Sequence, residues 1–205
     1  MLEKDQILLK GREFYLCAPR GQLVEGYLVI APFACIGCLA EKRSDALNEV
    51  VRMRDLVLRF YRECYGVQHA IVYEQGRAGG GAVLDAAGRF PLHAHLCFLP
   101  VAVDVHEAAS REYTSIPVAE LDALPELVSG KPYLYVEAWR GATGVKAAYV
   151  AATPGGRSRL ETLRLKPEIA RLLGHSDRGA WRDYPGDEER ARVIRNFAGF
   201  ASRLP

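Results

Sequence analysis

A surplus of charge is the first thing this chain lacks. It carries 27 basic and 25 acidic residues, a formal net charge of +2. That is too little to hold a nucleic-acid backbone or an anionic membrane surface by electrostatics. Long apolar runs are missing too: the longest, YLVIAPFACIGCLA at 27–40, falls short of a membrane span. The first residues, MLEKDQILLKGREF, are charged where a secretory leader needs an apolar core. Neither a membrane partner nor specific nucleic-acid binding is therefore expected. Cysteines are few and odd in number, five in all, which without a leader implies free thiols and a cytoplasmic location. Internal repeats and low-complexity linkers are absent, as are a GxSxG elbow, an HExxH helix and a kinase signature. RAGGGAV at 77–83 lacks the Lys-Ser/Thr pair of a phosphate loop and precedes a strand rather than a helix.

The 205 residues that remain to be explained are enough for one substantial core. FYLCAP (14–19) and GYLVIAP (26–32) read as an antiparallel pair. From Ser44 to Tyr65, Leu47, Val50, Val51, Leu56, Leu58 and Tyr61 recur at helical spacing, with Ser44 and Asp45 as N-cap choices. QHAIVYEQG (68–76) is a strand leading through the glycine-rich loop to a second strand at 92–99, which Pro100 ends. Further on, VDVHEAASREY is a short helical turn or loop, and VAELDALPELV a short helix. PYLYVEAW (132–139) and VKAAYVA (145–151) form a hairpin around RGATG. A helix is expected over 158–173, with Pro167 kinking or splitting it. A loop follows at 174–189, and an amphipathic helix over 187–203 begins in acidic residues and carries Arg192 and Arg195 later. The class is α+β.

Chemistry concentrates in PLHAHLCFLP at 91–100. Alternation puts His93, His95 and Cys97 on one face of an extended segment, and Ala94, Leu96 and Phe98 on the other. A metal site is one reading: Cys35-Ile-Gly-Cys38 has the spacing of half a zinc site, and His93, His95 and Cys97 could supply the rest. A lone CxxC at a strand-to-helix corner is more often a pair of small packed residues. The isolated His69, His106 and His175 suit a surface or the edge of a core. A histidine nucleophile fits the segment better. A neutral imidazole attacks phosphorus near pH 7, provided a fixed acceptor on its other nitrogen sets the tautomer. Here a central histidine has a polar neighbour two residues to each side.

LVIAP, the long helix, a strand ending in YEQG, the glycine-rich loop and HAHLCFLP, taken in order, resemble the histidine-triad (HIT) superfamily. The branch they are most similar to is that of the diadenosine polyphosphate hydrolases, and GKPYLYVEA and LG…WRDYP…E look like its C-terminal extension. The resemblance implies a HIT-like antiparallel sheet with a long packed helix over 1–105, a C-terminal α/β extension over 106–205 packed on it as one unit, and a homodimer. It implies a nucleotide hydrolase or nucleotidyltransferase that needs no cofactor and acts on a nucleoside phosphate or dinucleoside polyphosphate. His95 would form a covalent nucleotidyl-histidine, His93 would orient it, and Cys97 would fill the third triad position. Glu74, Gln75 and Gly76 stand where the family places a Glu-His-Gly-type stretch. Leu28 and Ile30 are the candidates for lying against the base, and Arg164 and Lys166 for the phosphates.

Two positions depart from the family. Cys97 replaces a histidine, a place where the galactose-1-phosphate uridylyltransferase branch has glutamine, and Ala34 or Cys35 fills another histidine position. The alternatives they open are a nucleotide-binding or regulatory protein without turnover, and a metalloprotein holding zinc through Cys35, Cys38, His93 and Cys97.

Overall fold

In the long helix α1, Ser44–Tyr65, the positions Leu47, Val50, Met53, Val57, Leu58, Phe60 and Tyr61 repeat at helical spacing and are all buried. Gly66, at φ 65°, ends the helix in the left-handed conformation that glycine adopts without a Cβ penalty. Its start differs from expectation: Arg43 is the extended N-cap residue, and Ser44 Oγ instead donates to the Asp122 carbonyl at 3.0 Å. The structure, a computed structural model, describes residues 7–77, 93–110, 113–150, 165–178 and 183–204.

The helix packs on an open sheet of eight antiparallel strands: β1 Ile7–Lys10, β2 Phe14–Cys17, β3 Leu28–Pro32, β4 His69–Arg77, β5 Leu96–Leu99, β6 Thr114–Pro117, β7 Pro132–Arg140 and β8 Thr143–Val150. Their spatial order is β1-β2-β3-β5-β4-β7-β8-β6. The β2–β3 pair and the β7–β8 hairpin form as the sequence indicates, Gly141 at φ 63° opening the two-residue turn. β7 pairs along the whole of β4, from His69↔Arg140 to Arg77↔Pro132, so one sheet runs through both halves of the chain. The remaining helices are α2 Val105–Ser110, α3 Leu124–Val128, α4 Leu165–Leu172 and α5 Asp187–Ala201. Pro167 sits in the first turn of α4, where a missing N–H costs little. The expected stretch 158–164 before it and the glycine-rich loop lie outside the described residues.

Period-two alternation divides the core into two layers. One face, carrying Leu16, Leu28, Ile30, Val72, Leu96, Phe98, Tyr133 and Tyr135, packs beneath α1, α3 and α5. The other, carrying Val29, Ile71, Tyr73, Cys97, Leu134 and Val136, is covered by α2, α4 and the Leu23–Tyr27 segment. A buried ion pair ties α1 to the far half of the sheet: Arg54 Nη1 lies 3.2 Å from Glu137 Oε1, which also accepts the Tyr135 hydroxyl. No described helix is long and apolar enough to cross a membrane.

Candidate active site

The histidine segment differs from the expected strand 92–99. Only Leu96–Leu99 is laddered, and His93 and His95 lie in its extended lead-in. The reason lies across the sheet. β3 ends at Pro32, which has no N–H to offer the ladder. Its carbonyl accepts from the His93 ring instead, and the Ala94 N–H goes to the Ile36 carbonyl at 2.9 Å. Alternation still holds, with Ala94, Leu96 and Phe98 on the α1 face and Cys97 on the other.

Each histidine is fixed by a carbonyl, and a carbonyl only accepts, so the proton on each contacting nitrogen is assigned. His93 Nε2 donates to the Pro32 carbonyl at 2.8 Å. His95 Nδ1 donates to the His93 carbonyl at 2.7 Å. In neutral His95 the lone pair is therefore on Nε2. The residue keeps an exposed edge, whereas Cys97 is only 1% exposed.

Around the thiol stands a cage that the sequence reading missed. Tyr27 Oη lies 3.2 Å from Cys97 Sγ. Tyr73 faces Cys97 across the β4–β5 ladder and hydrogen-bonds to it. Lys166 of α4 reaches the same cluster: its Nζ donates to the Gly21 carbonyl at 2.7 Å and lies 4.9 Å from the centre of the Tyr27 ring. Burial lowers the Lys166 pKa, and the nearby Cys97 sulfur opposes that shift. Tyr73 was within reach of sequence reasoning, because pairing the two strands as drawn sets it opposite Cys97. Tyr27 was not, since it precedes β3.

Charge couples the imidazole and the thiol. Burial works against a charge on His95, but the Cys97 sulfur beside it, the hydrogen bond between them, the His93 carbonyl and Glu74 outweigh it and raise His95 to about 9. Water at the exposed edge weakens both the opposition from burial and the pull of the neighbouring charges, and the direction stays upward. Cys97 moves the other way. Burial would raise it, but the His95 charge and hydrogen bonds from His95, Tyr27 and Tyr73 prevail and lower it. The pair favours imidazolium and thiolate.

The other sequence candidates divide. Gln75 lies on the Tyr73 side of β4 by alternation. Leu28 and Ile30, the candidates for the base, are fully buried beneath α1 on the opposite face, so the expectation is corrected: Tyr27, Val29 and Ala31 are the residues of that segment on the Cys97 side. Glu74 is committed to structure, with Oε1 accepting from the Leu39 N–H at 2.7 Å and Oε2 from the Tyr133 hydroxyl at 2.6 Å. Burial pushes its carboxyl up to about 7, against those hydrogen bonds. Gly76 lies under Tyr133, where an added Cβ would stand 2.1 Å from the ring, so it makes room for that clamp. Arg164 lies outside the described residues.

The four-residue zinc set is not assembled. Cys38 is buried on the α1 face, Cys97 on the other, and Cys35 is exposed. Burial, with Glu74 and Glu41 nearby, raises the Cys38 thiol to about 12. Among the described residues no group of three or more His, Cys, Asp or Glu is placed to hold a metal.

Fold and site together define an α+β protein on one open antiparallel sheet, with a carbonyl-anchored imidazole beside a caged thiol. No protein-family model matches the chain, and no curated protein matches it significantly.

Proposed function

We propose that this protein is a nucleotide hydrolase or nucleotidyltransferase of the histidine-triad kind, acting on a nucleoside phosphate or dinucleoside polyphosphate through His95. The observation that carries the reading is the 2.7 Å bond from His95 Nδ1 to the His93 carbonyl. It sets the tautomer a nucleophilic imidazole needs and gives the positive charge formed during attack a fixed acceptor. Nε2 attacks the α-phosphorus, an N–P bond forms, and the bond to the leaving phosphate or nucleotide breaks. Water or another acceptor then attacks the same phosphorus and returns the electron pair to Nε2. Lys166, close to Tyr27 on the Cys97 side, supplies a cation near the phosphate oxygens. The test is incubation with a panel of nucleotides and dinucleoside polyphosphates, followed by rapid quenching and intact-mass analysis. A nucleotidyl adduct that forms, decays and is absent from His95→Asn supports the reading. Turnover undiminished in His95→Asn refutes it.

One observation favours a second reading, a nucleotide-binding protein without turnover. The Cys97 sulfur favours the imidazolium form of His95, in which Nε2 has no lone pair to attack with. Nucleotide binding with no hydrolysis at any pH from neutrality to about 9.5 would select this reading over the first.

A further inference from the structure

On the Cys97 face of the sheet, at the end of β4 remote from His95, a cleft of about 610 Å³ opens between the strands and the Val101–His106 segment. Small-molecule sites run from about 300 to 1,000 Å³. Six residues of β4 separate His69 from Gln75, so the cleft lies ~20 Å along the strand from the histidine site. Its floor is two cross-strand rows fixed by register. His69 pairs with Arg140, and Arg140 with Thr143, while Ile71 pairs with Ala138, and Ala138 with Val145. Direct partners share a face, so a polar, cationic row runs beside an apolar one.

Both rows have unmet capacity. The Arg140 guanidinium and the His69 ring make no hydrogen bond or ion pair among the described residues, and both are exposed. Val145 is 66% exposed, the most exposed large apolar side chain among the described residues. The wall also carries one carboxylate, Asp104, whose Oδ1 accepts from the Glu107 N–H at 2.9 Å at the start of α2, so the anion's head group must sit at the Arg140 end of the cleft. His106 is held by Tyr149, Nδ1 to Oη 2.6 Å, and burial lowers its pKa, disfavouring its charged form.

We infer that this cleft is a second binding site, for a small organic anion whose flat apolar body lies on Ile71, Ala138 and Val145 while its carboxylate or phosphate engages Arg140 and His69. A guanidinium recognises either head group through two parallel N–H bonds, which is why a carboxylate and a phosphate monoester share the site. The site is independent of catalysis at His95.

The test is amide NMR of the isotopically labelled full chain titrated into the millimolar range with phenyl phosphate, benzoate and, as the uncharged control, phenol. Saturable shifts at Ile71, Ala138 and Val145 are expected with both anions, the tighter of the two naming the natural head group. Affinity should fall at least tenfold in Arg140→Gln and in Val145→Glu, two exposed positions whose change leaves the fold in place. His95→Asn should bind as the parent does, which separates this site from the histidine site. Absence of saturable shifts at those three residues overturns the inference. So does phenol binding as tightly as the anions, or affinity unchanged in Arg140→Gln.

Discussion

Replacing Glu74 by glutamine should change how stability depends on pH. The carboxyl is 1% exposed and sits between the Leu39 N–H and the Tyr133 hydroxyl, which itself accepts from the Ala40 N–H at 3.1 Å. Burial raises its pKa from 4.5 to about 7. Between those values the native state holds a proton that the unfolded chain has released, so the native state binds more protons and stability falls as pH rises. The advantage is complete below 4.5, is lost progressively as pH climbs to about 7, and stays lost above it. At 1.36 kcal/mol per pH unit, the gap from 4.5 to about 7 amounts to ~3 kcal/mol. Glutamine cannot ionise, so Glu74→Gln removes this dependence. It also sets an amide N–H₂ against the Tyr133 hydroxyl, a mismatch of about 1 kcal/mol. The variant should therefore be less stable than the parent by about 1 kcal/mol near pH 4, about equal to it near pH 5, and more stable by ~2 kcal/mol near pH 8. Urea unfolding of both proteins across that range, taken as a difference so that other titrations cancel, measures it. A difference constant within ~0.5 kcal/mol from pH 5 to 8 would refute the reasoning.

Gly76→Ala places a Cβ 2.1 Å from the Tyr133 ring. It should cost about 2 kcal/mol by overpacking, and an unchanged urea midpoint would show that the ring has somewhere else to go. Arg54→Met leaves the 0%-exposed Glu137 without its cation and should cost about 3–5 kcal/mol, part of it recovered when Glu137 is also made apolar, since Tyr135 and Trp139 then lose their acceptor. Thermal melts of the single and double variants read this directly, and a cost that the second change fails to reduce would rule out a stranded charge. If His95 is the nucleophile, kcat/KM should rise with pH toward a limb near 9, because Nε2 attacks only when unprotonated. Cys97→Ala removes the sulfur that holds the proton, so its limb should move toward the ordinary histidine value of 6.5. An unmoved limb would mean that the thiol does not set the His95 charge.

Much of the fold was legible because its strongest periodic segments are also its best-packed ones. The 22-residue α1, the β2–β3 pair and the β7–β8 hairpin each carry a clear period and a turn or cap signal. The two missed strands carry neither. β1 is cut from a charged N-terminal stretch, and β6 is a mostly exposed edge strand, TSIP, closing in proline. Capping also misled: Ser44 has the right side chain for an N-cap, but the Asp122 carbonyl takes its hydroxyl, a tertiary contact that local sequence cannot show.

The candidate residues could be named from the sequence, but the faces they occupy could not. Leu28 and Ile30 are apolar and lie in the right segment, yet a one-residue change of parity decides whether a strand residue meets a ligand or a helix. The pairing Val29↔Cys97 puts Val29 on the thiol's side and sends Leu28 and Ile30 beneath α1. Parity also separates the YEQG stretch, since Glu74 turns toward Leu39 and Tyr133 while Gln75 falls on the side of Tyr73. Spacing alone suggested that CxxC and HAHLC share one pocket, whereas the sheet stands between Cys38 and Cys97. What brings Lys166 to the thiol is the docking of α4 on that face, in a part of the chain more than sixty residues away from it. Cys97 therefore does more than fill space in the core. Caged by two tyrosines, with a lysine nearby and an imidazole beside it, its sulfur favours the protonated form of His95. The pH at which Nε2 carries a lone pair therefore depends on the charge that the sulfur carries.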